Sequence, residues 1–139
     1  MKTLILSLSL LVSISFVQAQ ETEGHDLKIT VPNAKNDEGT ILITLHTAET
    51  FMKTDGIMSA EGKIKEGTSE IVLENVKPGE YAIIVLHDQN DNKRMDFEAN
   101  GMPKESYGTS NNIMSFGPPQ YSDAKFKMGD DDMEMTIRF

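Results

Sequence analysis

Apolar and polar residues alternate with a period of two along most of this chain, and this constrains the fold more than any other feature. Leu27, Ile29 and Val31 alternate with Lys28 and Thr30. The same alternation returns in segments that begin near residues 40, 71, 81, 124 and 133. A period of two is typical of a β-strand with one face buried and the other exposed to solvent. No segment shows the period of a long amphipathic helix, so the sequence predicts an all-β domain.

Strands of this length and spacing pack most naturally as an antiparallel two-sheet sandwich of about seven strands. Residues 81–87 are apolar on both faces, which predicts a central strand with Ile83 and Val85 in the core, together with Phe126. Residues 77–80 read as a type II turn with Gly79 in third place. Residues 124–128 and 133–139 predict a terminal hairpin.

The first nineteen residues have the layout of a secretory signal peptide. Lys2 gives a basic start, residues 4–17 carry no charge, and Ala19 follows as a small residue suited to cleavage. The apolar run is shorter than the ~20 residues of a spanning helix, although an uncleaved membrane anchor is the alternative. We therefore expect a signal peptide at 1–19, a single domain at 20–139, and a periplasmic or secreted protein without a membrane span in its mature chain.

Composition excludes several classes of protein. The chain has no cysteine, which removes disulfide scaffolds, Cys-ligated metal sites and Cys nucleophiles. Asp and Glu total 22 against 13 Lys and Arg, for a formal net charge of −9. Binding to nucleic acids or to an anionic membrane surface requires clustered basic residues. An acidic chain is therefore not expected to bind either partner.

One long connection, 88–123, interrupts the strand pattern. A connection of this length inside a compact domain is usually either functional or disordered. It carries apolar residues throughout its length, including Met95, Phe97, Tyr107 and Phe116, and leaving them solvated would be unfavourable. The sequence therefore predicts an ordered loop that folds back over the sandwich.

The start of this loop carries oxygen-bearing side chains at alternate positions. Asp88, Asn90, Asn92 and Asp96 form the spacing D-x-N-x-N-x-x-x-D, which resembles the first part of a calcium-binding loop. Lys93 stands where that loop has Gly, and its twelfth position, a bidentate Glu, is Ala99. The spacing predicts a calcium site formed by these four residues, with magnesium less suited to it. The alternative is a polar Asn-rich turn without metal.

The loops resemble a known bacterial family. In chain order the shared strings are Pro78-Gly79-x-Tyr81; His87-Asp88-x-Asn90-x-Asn92; Gly101-x-Pro103-Lys104-Glu105-x-Tyr107-Gly108-x-Ser110-Asn111-Asn112; and Phe116-Gly117-Pro118-Pro119-x-Tyr121-x-Asp123-Ala124-x-Phe126. They are similar to domain-of-unknown-function family 2141. The resemblance implies an exported prealbumin-like or immunoglobulin-like sandwich, without an assigned activity. The family usually has Gly after the second Asn, where this chain has Lys93.

Two functions follow as hypotheses. The first is an exported, non-enzymatic binding or accessory module whose long loop is organised by calcium. The second is a small periplasmic hydrolase with His87 as general base and Asp88 or Glu105 in reach, although no nucleophile motif is present. A glycan or protein partner could also bind at an aromatic lip beside the loop, formed by Tyr107, Phe116 and Tyr121. Alternatively, these rings pin the loop to the sheet.

Overall fold

The structure is a computed structural model that describes residues 22–139. Over this range the chain forms strands joined mostly by short turns, with one 3₁₀ turn (Ser110–Asn112) and one short helix, α1 (Tyr121–Ala124). In chain order the strands are β1 (His25–Val31), β2 (Thr40–His46), β3 (Met58–Lys63), β4 (Ser69–Val76), β5 (Gly79–Asp88), β6 (Tyr107–Thr109), β7 (Phe126–Met128) and β8 (Met133–Thr136).

The strands form two sheets that pack as a sandwich. One sheet has three strands in the order β4-β1-β8, and the other has five strands, with β3-β2-β5-β6 in order and β7 also paired to β5. All pairs are antiparallel except β1 with β8, which is parallel. The predicted all-β two-sheet sandwich is confirmed, with eight described strands. The predicted central position of β5 is also correct, because β2, β6 and β7 all pair with it.

Alternation along each strand determines which side chains meet between the sheets. Leu27, Ile29 and Val31 of β1 are fully buried, and so are Ile83 and Val85 of β5. Burying each such side chain contributes about 1.5–3 kcal/mol to folding. The predicted core positions in β5 are therefore confirmed, and the Phe126 ring of β7 is partly buried against the same core.

Two glycines let the sheets approach each other closely at opposite edges. A Cβ at Gly62 of β3 would lie 2.4 Å from Cγ1 of Ile71 in β4. A Cβ at Gly108 of β6 would lie 2.2 Å from the backbone oxygen of Arg138, just after β8. Since real Cβ contacts are longer than this, a side chain at Gly108 would collide with the backbone after β8, and one at Gly62 would displace the side chain of Ile71.

The predicted terminal hairpin is wrong. β7 pairs with β5 in the larger sheet, whereas β8 pairs with β1 in the smaller sheet. The acidic turn at 129–132 therefore carries the chain from one sheet to the other. Alternation identified both strands correctly, but it carries no information about which partner each strand takes.

The predicted type II turn before β5 is also wrong. Such a turn needs positive φ at Gly79, and this glycine is not among those with left-handed backbone. Gly79 is extended because it already pairs with Met128 in β7. The Tyr81 hydroxyl closes the bend instead by donating to the carbonyl of Lys77 at 3.0 Å.

The long segment 88–123 is ordered, but it is not one continuous loop. β6 and the 3₁₀ turn divide it into two parts, which differ in how their side chains are covered. We call residues 88–106 the Asp88 loop and residues 113–120 the apolar loop. The Asp88 loop leaves one end of β5, and the apolar loop leads into α1, whose Ala124 packs with Ala82 near the other end of β5.

Within residues 22–139, no helix has the length and apolar character needed to cross a membrane. The predicted signal peptide at 1–19 lies outside the described residues.

Candidate metal centre in the Asp88 loop

Asp88 is the last residue of β5, and its side chain is fully buried. Its Oδ1 accepts the backbone N–H of Asn92 at 3.1 Å, and its Oδ2 accepts that of Lys93 at 2.7 Å. A buried carboxylate without hydrogen-bond donors would be strongly destabilising. Asp88 therefore fixes the first turn of the loop directly onto the end of the central strand.

The other three predicted ligands meet on the exposed side of this turn. The amide of Asn90 donates to Oδ2 of Asp96 at 2.7 Å. The amide of Asn92 donates to both oxygens of Asp96, at 3.0 and 2.9 Å. These hydrogen bonds favour the charged carboxylate and lower the pKa of Asp96 below its ordinary value. The structure thus brings all four sequence-predicted residues into one connected network.

The turn requires two residues with left-handed backbone. Asp91 has φ of +55° and Lys93 has φ of +62°. Lys93 occupies the sixth position of the loop, where a calcium-binding loop places Gly for its sharp turn. Left-handed backbone costs a side-chain-bearing residue about 1–2 kcal/mol. The Lys93 ammonium forms an ion pair with Glu61 on β3, and this contact raises the pKa of Lys93.

Glu105 closes the base of the loop, a role that its position in the sequence did not indicate. Its Oε1 accepts the backbone N–H of Gln89 at 3.0 Å, and its Oε2 accepts that of Asp96 at 3.2 Å. The side chain is buried, so these two bonds tie both ends of the metal motif to one carboxylate. The hydrolase hypothesis gave Glu105 a different role, as a partner for His87.

His87 does not face a cleft. Its ring is fully buried, and its Nε2 lies 2.9 Å from the carbonyl oxygen of Glu38, to which it donates. The ring stacks on Phe139, with 6.1 Å between ring centroids and 18° between planes. Glu105 bonds to the loop backbone and not to this ring. This is the geometry of a structural histidine, and it gives no support to the hydrolase hypothesis.

The donor set consists of oxygen atoms, which suits a hard cation. The sequence provides two carboxylates, two side-chain amides and, as the seventh loop residue, the backbone carbonyl of Arg94. In the structure the amide oxygens of Asn90 and Asn92 accept the backbone N–H groups of Asn92 at 3.2 Å and of Arg94 at 3.1 Å. Across residues 22–139, no three His, Asp or Glu side chains group as a metal-ligand set. A cation here would therefore depend on the amides of Asn90 and Asn92 as well as on Asp88 and Asp96. Calcium accepts such mixed oxygen ligands with flexible geometry.

A family model described as "Uncharacterized protein conserved in bacteria (DUF2141)" matches residues 29–136. The chain belongs to this family. The matched range starts within β1 and ends at the last residue of β8, so it contains both sheets and the whole Asp88 loop. Comparison with curated proteins and with solved structures found no match.

Membership in DUF2141 adds no activity, because the family description assigns none. Lys93 stands where the resemblance has Gly, and in this structure it takes a left-handed backbone, as Asp91 does. The turn is therefore formed despite the substitution, with the side chain directed to Glu61.

Proposed function

We propose that this chain is an exported, non-enzymatic binding or accessory module, and that the Asp88 loop binds calcium. The observation that carries the proposal is the meeting of Asp88, Asn90, Asn92 and Asp96 around one turn with left-handed backbone at its sixth position. The burial of His87 supports a non-enzymatic role, because a general base must reach a substrate.

The buried end of the loop supports binding in a second way. Asp88 is held by two backbone N–H groups and Glu105 by two more, so the turn is organised before any ion arrives. A ligand that meets a preorganised site loses less free energy to ordering the chain. Calcium would add the charge that neutralises Asp88 and Asp96.

Binding at this site is expected to be weak. The amides of Asn90 and Asn92 already occupy the oxygens of Asp96, so an ion must replace these hydrogen bonds and the amides must turn their oxygens inward. The set has two carboxylates and no bidentate Glu at its twelfth position, where Ala99 stands. Few ligand charges place a calcium loop in the range of extracellular modules, with Kd of about 10⁻⁴–10⁻³ M.

Thermal melting in calcium, magnesium and chelator tests the proposal. A ligand that binds only the folded state stabilises it by about 2.7 kcal/mol when its concentration is a hundredfold above Kd. Millimolar calcium is closer to the expected Kd, so it should raise Tm by less than such an excess would. Magnesium should raise it less, because it demands more regular geometry. Asp96→Ala should remove the calcium response, and it is the better variant because Asp96 is less buried than Asp88.

The matched control is Asp131→Ala in the turn between β7 and β8, which removes an exposed carboxylate outside the loop. It should keep the full calcium response. If calcium and chelator leave the Tm of the unmodified chain unchanged, the Asp88 loop is a polar turn and the calcium proposal fails.

A further inference from the structure

The apolar loop exposes its largest side chains to solvent. Met114 and Phe116 are fully exposed, and Ile113 is about half exposed. The expectation that Phe116 pins the loop to the sheet is therefore wrong. Tyr121 does pack inward, with its ring 5.8 Å from that of the buried Phe51. Of the three rings in the aromatic lip, Tyr121 is anchored, Phe116 is free, and Tyr107 is partly buried in β6.

The base of the apolar loop is fixed firmly. The hydroxyl of Ser110 accepts the N–H of Ile83 at 3.0 Å and donates to the carbonyl of Ala124. The amide of Asn111 donates to two carbonyls, those of Asp123 and Lys125, each at 2.9 Å. Asn112 bonds to the backbone at the end of β8, accepting the N–H of Arg138 at 2.7 Å and donating to the carbonyl of Thr136 at 2.9 Å. The exposed side chains of the apolar loop therefore extend from a base that these hydrogen bonds hold in place.

The segment that carries these side chains is itself uncharged. From Ser106 to Ser122 the sequence contains no Asp, Glu, Lys or Arg, although charged residues make up 25% of the chain. Met52, which is 55% exposed, adjoins the Phe51 that packs on Tyr121, so a further exposed apolar side chain lies at the same end of the larger sheet.

We propose that the apolar loop inserts Ile113, Met114 and Phe116 into the surface of an uncharged, zwitterionic lipid layer. This inference goes beyond the proposed calcium function and does not depend on it. The side chains of a protruding loop can enter the headgroup and acyl boundary, which lies only ~5–10 Å deep. The uncharged stretch matches a zwitterionic surface, whereas the net charge of −9 opposes an anionic one.

Two other occupants fit this loop less well. Three side chains offer on the order of 500 Å² of contact, below the ~800 Å² that each partner buries in a specific protein interface. A sugar needs polar groups beside the ring on which it stacks, but the side chains of Asn111 and Asn112 are already engaged with the backbone. A lipid surface needs neither a larger area nor free hydrogen-bonding groups.

The chain contains no tryptophan, so Phe116→Trp introduces a single tryptophan at the tip, whose emission can be followed apart from that of the tyrosines. We expect its emission to shift to shorter wavelength when phosphatidylcholine vesicles are added. Replacing half of the phosphatidylcholine with phosphatidylglycerol should weaken binding through charge repulsion, and added salt should restore it. Stronger binding to the anionic vesicles would overturn the choice of an uncharged surface.

Sedimentation with the same vesicles tests which residues are responsible. The double variant Met114→Ser/Phe116→Ser should lower the partition coefficient about tenfold or more. The matched control Phe97→Ser removes a 58% exposed ring from the Asp88 loop and should leave partition unchanged. Equal partition of the double variant and the unmodified chain would overturn the proposal, and so would a lack of any binding. A dimer in solution that the double variant abolishes would assign the loop to a second copy instead.

Discussion

Lys93 donates its backbone N–H to the buried Oδ2 of Asp88 at 2.7 Å, and it does so from a left-handed backbone with φ of +62°. The bond joins the last residue of the central strand to the sixth position of the candidate metal loop. Because the geometry favours glycine at this position, the loop carries strain that its ion pair with Glu61 partly offsets.

Glycine at position 93 should therefore stabilise the fold relative to alanine. Both Lys93→Gly and Lys93→Ala remove the contact with Glu61. The difference between their free energies of unfolding therefore reports only how well each residue tolerates the left-handed backbone. We expect the glycine variant to have the higher free energy of unfolding by about 1 kcal/mol, measured in urea. Alanine is normally the more stable of the two residues. A more stable alanine variant would mean that position 93 does not take left-handed backbone.

Glu105→Gln should destabilise the protein although it conserves size. Glutamine has one acceptor oxygen where glutamate has two, so one backbone N–H, of Gln89 or of Asp96, would lose its partner. We expect a loss of about 1–3 kcal/mol in the free energy of unfolding. Glu98→Gln, at an exposed position in the same loop, is the matched control and should cost little. Equal costs for the two variants would contradict the closing role of Glu105.

His46 should make stability depend on pH. Burial of its ring, which lies edge-on to Phe51, lowers the pKa of His46 below its ordinary value. The unfolded chain then binds a proton more readily than the folded one, so stability falls as pH drops below about 6.5 and levels off below the folded pKa. His46→Gln should flatten the Tm profile between pH 7.5 and 5. An NMR titration that places the His46 pKa at or above the ordinary value would refute this.

The expectation of export concerns residues outside the described range and has its own test. The uncharged run before Ala19 predicts cleavage after that residue. Mass spectrometry of protein recovered from the periplasm or the medium of a bacterial host should find Gln20, or a close neighbour, at the N-terminus. Recovery of the intact chain from the cytoplasm alone would contradict export.

The sequence predicted which residues form strands more accurately than it predicted their partners. Alternation located the burial of Ile83 and Val85, because a period of two follows directly from strand geometry. It could not show that β7 and β8 belong to different sheets, since that depends on long-range packing against β5 and β1. The parallel β1–β8 pair has no local signal.

At the candidate site, too, the sequence predicted the local pattern but not the long-range contacts. The spacing of Asp88, Asn90, Asn92 and Asp96 is local, and these residues do meet in the structure. Glu105 follows its hydrogen-bond partner Asp96 by nine residues, and no spacing rule connects them. The sequence also did not predict that Phe116 is exposed, because an aromatic residue in a long ordered connection is ordinarily expected to be buried.

A calcium titration followed by backbone amide NMR tests the central claim most directly. Bound calcium must replace the hydrogen bonds that join Asp96 to Asn90 and Asn92. The amide resonances of residues 88–96 should therefore move and saturate with a Kd of about 10⁻⁴–10⁻³ M. Magnesium should move them less, and Asp96→Ala should abolish the shifts. Resonances that stay fixed in the Asp88 loop, or that move only in the acidic turn at 129–132, would contradict a calcium site at Asp88.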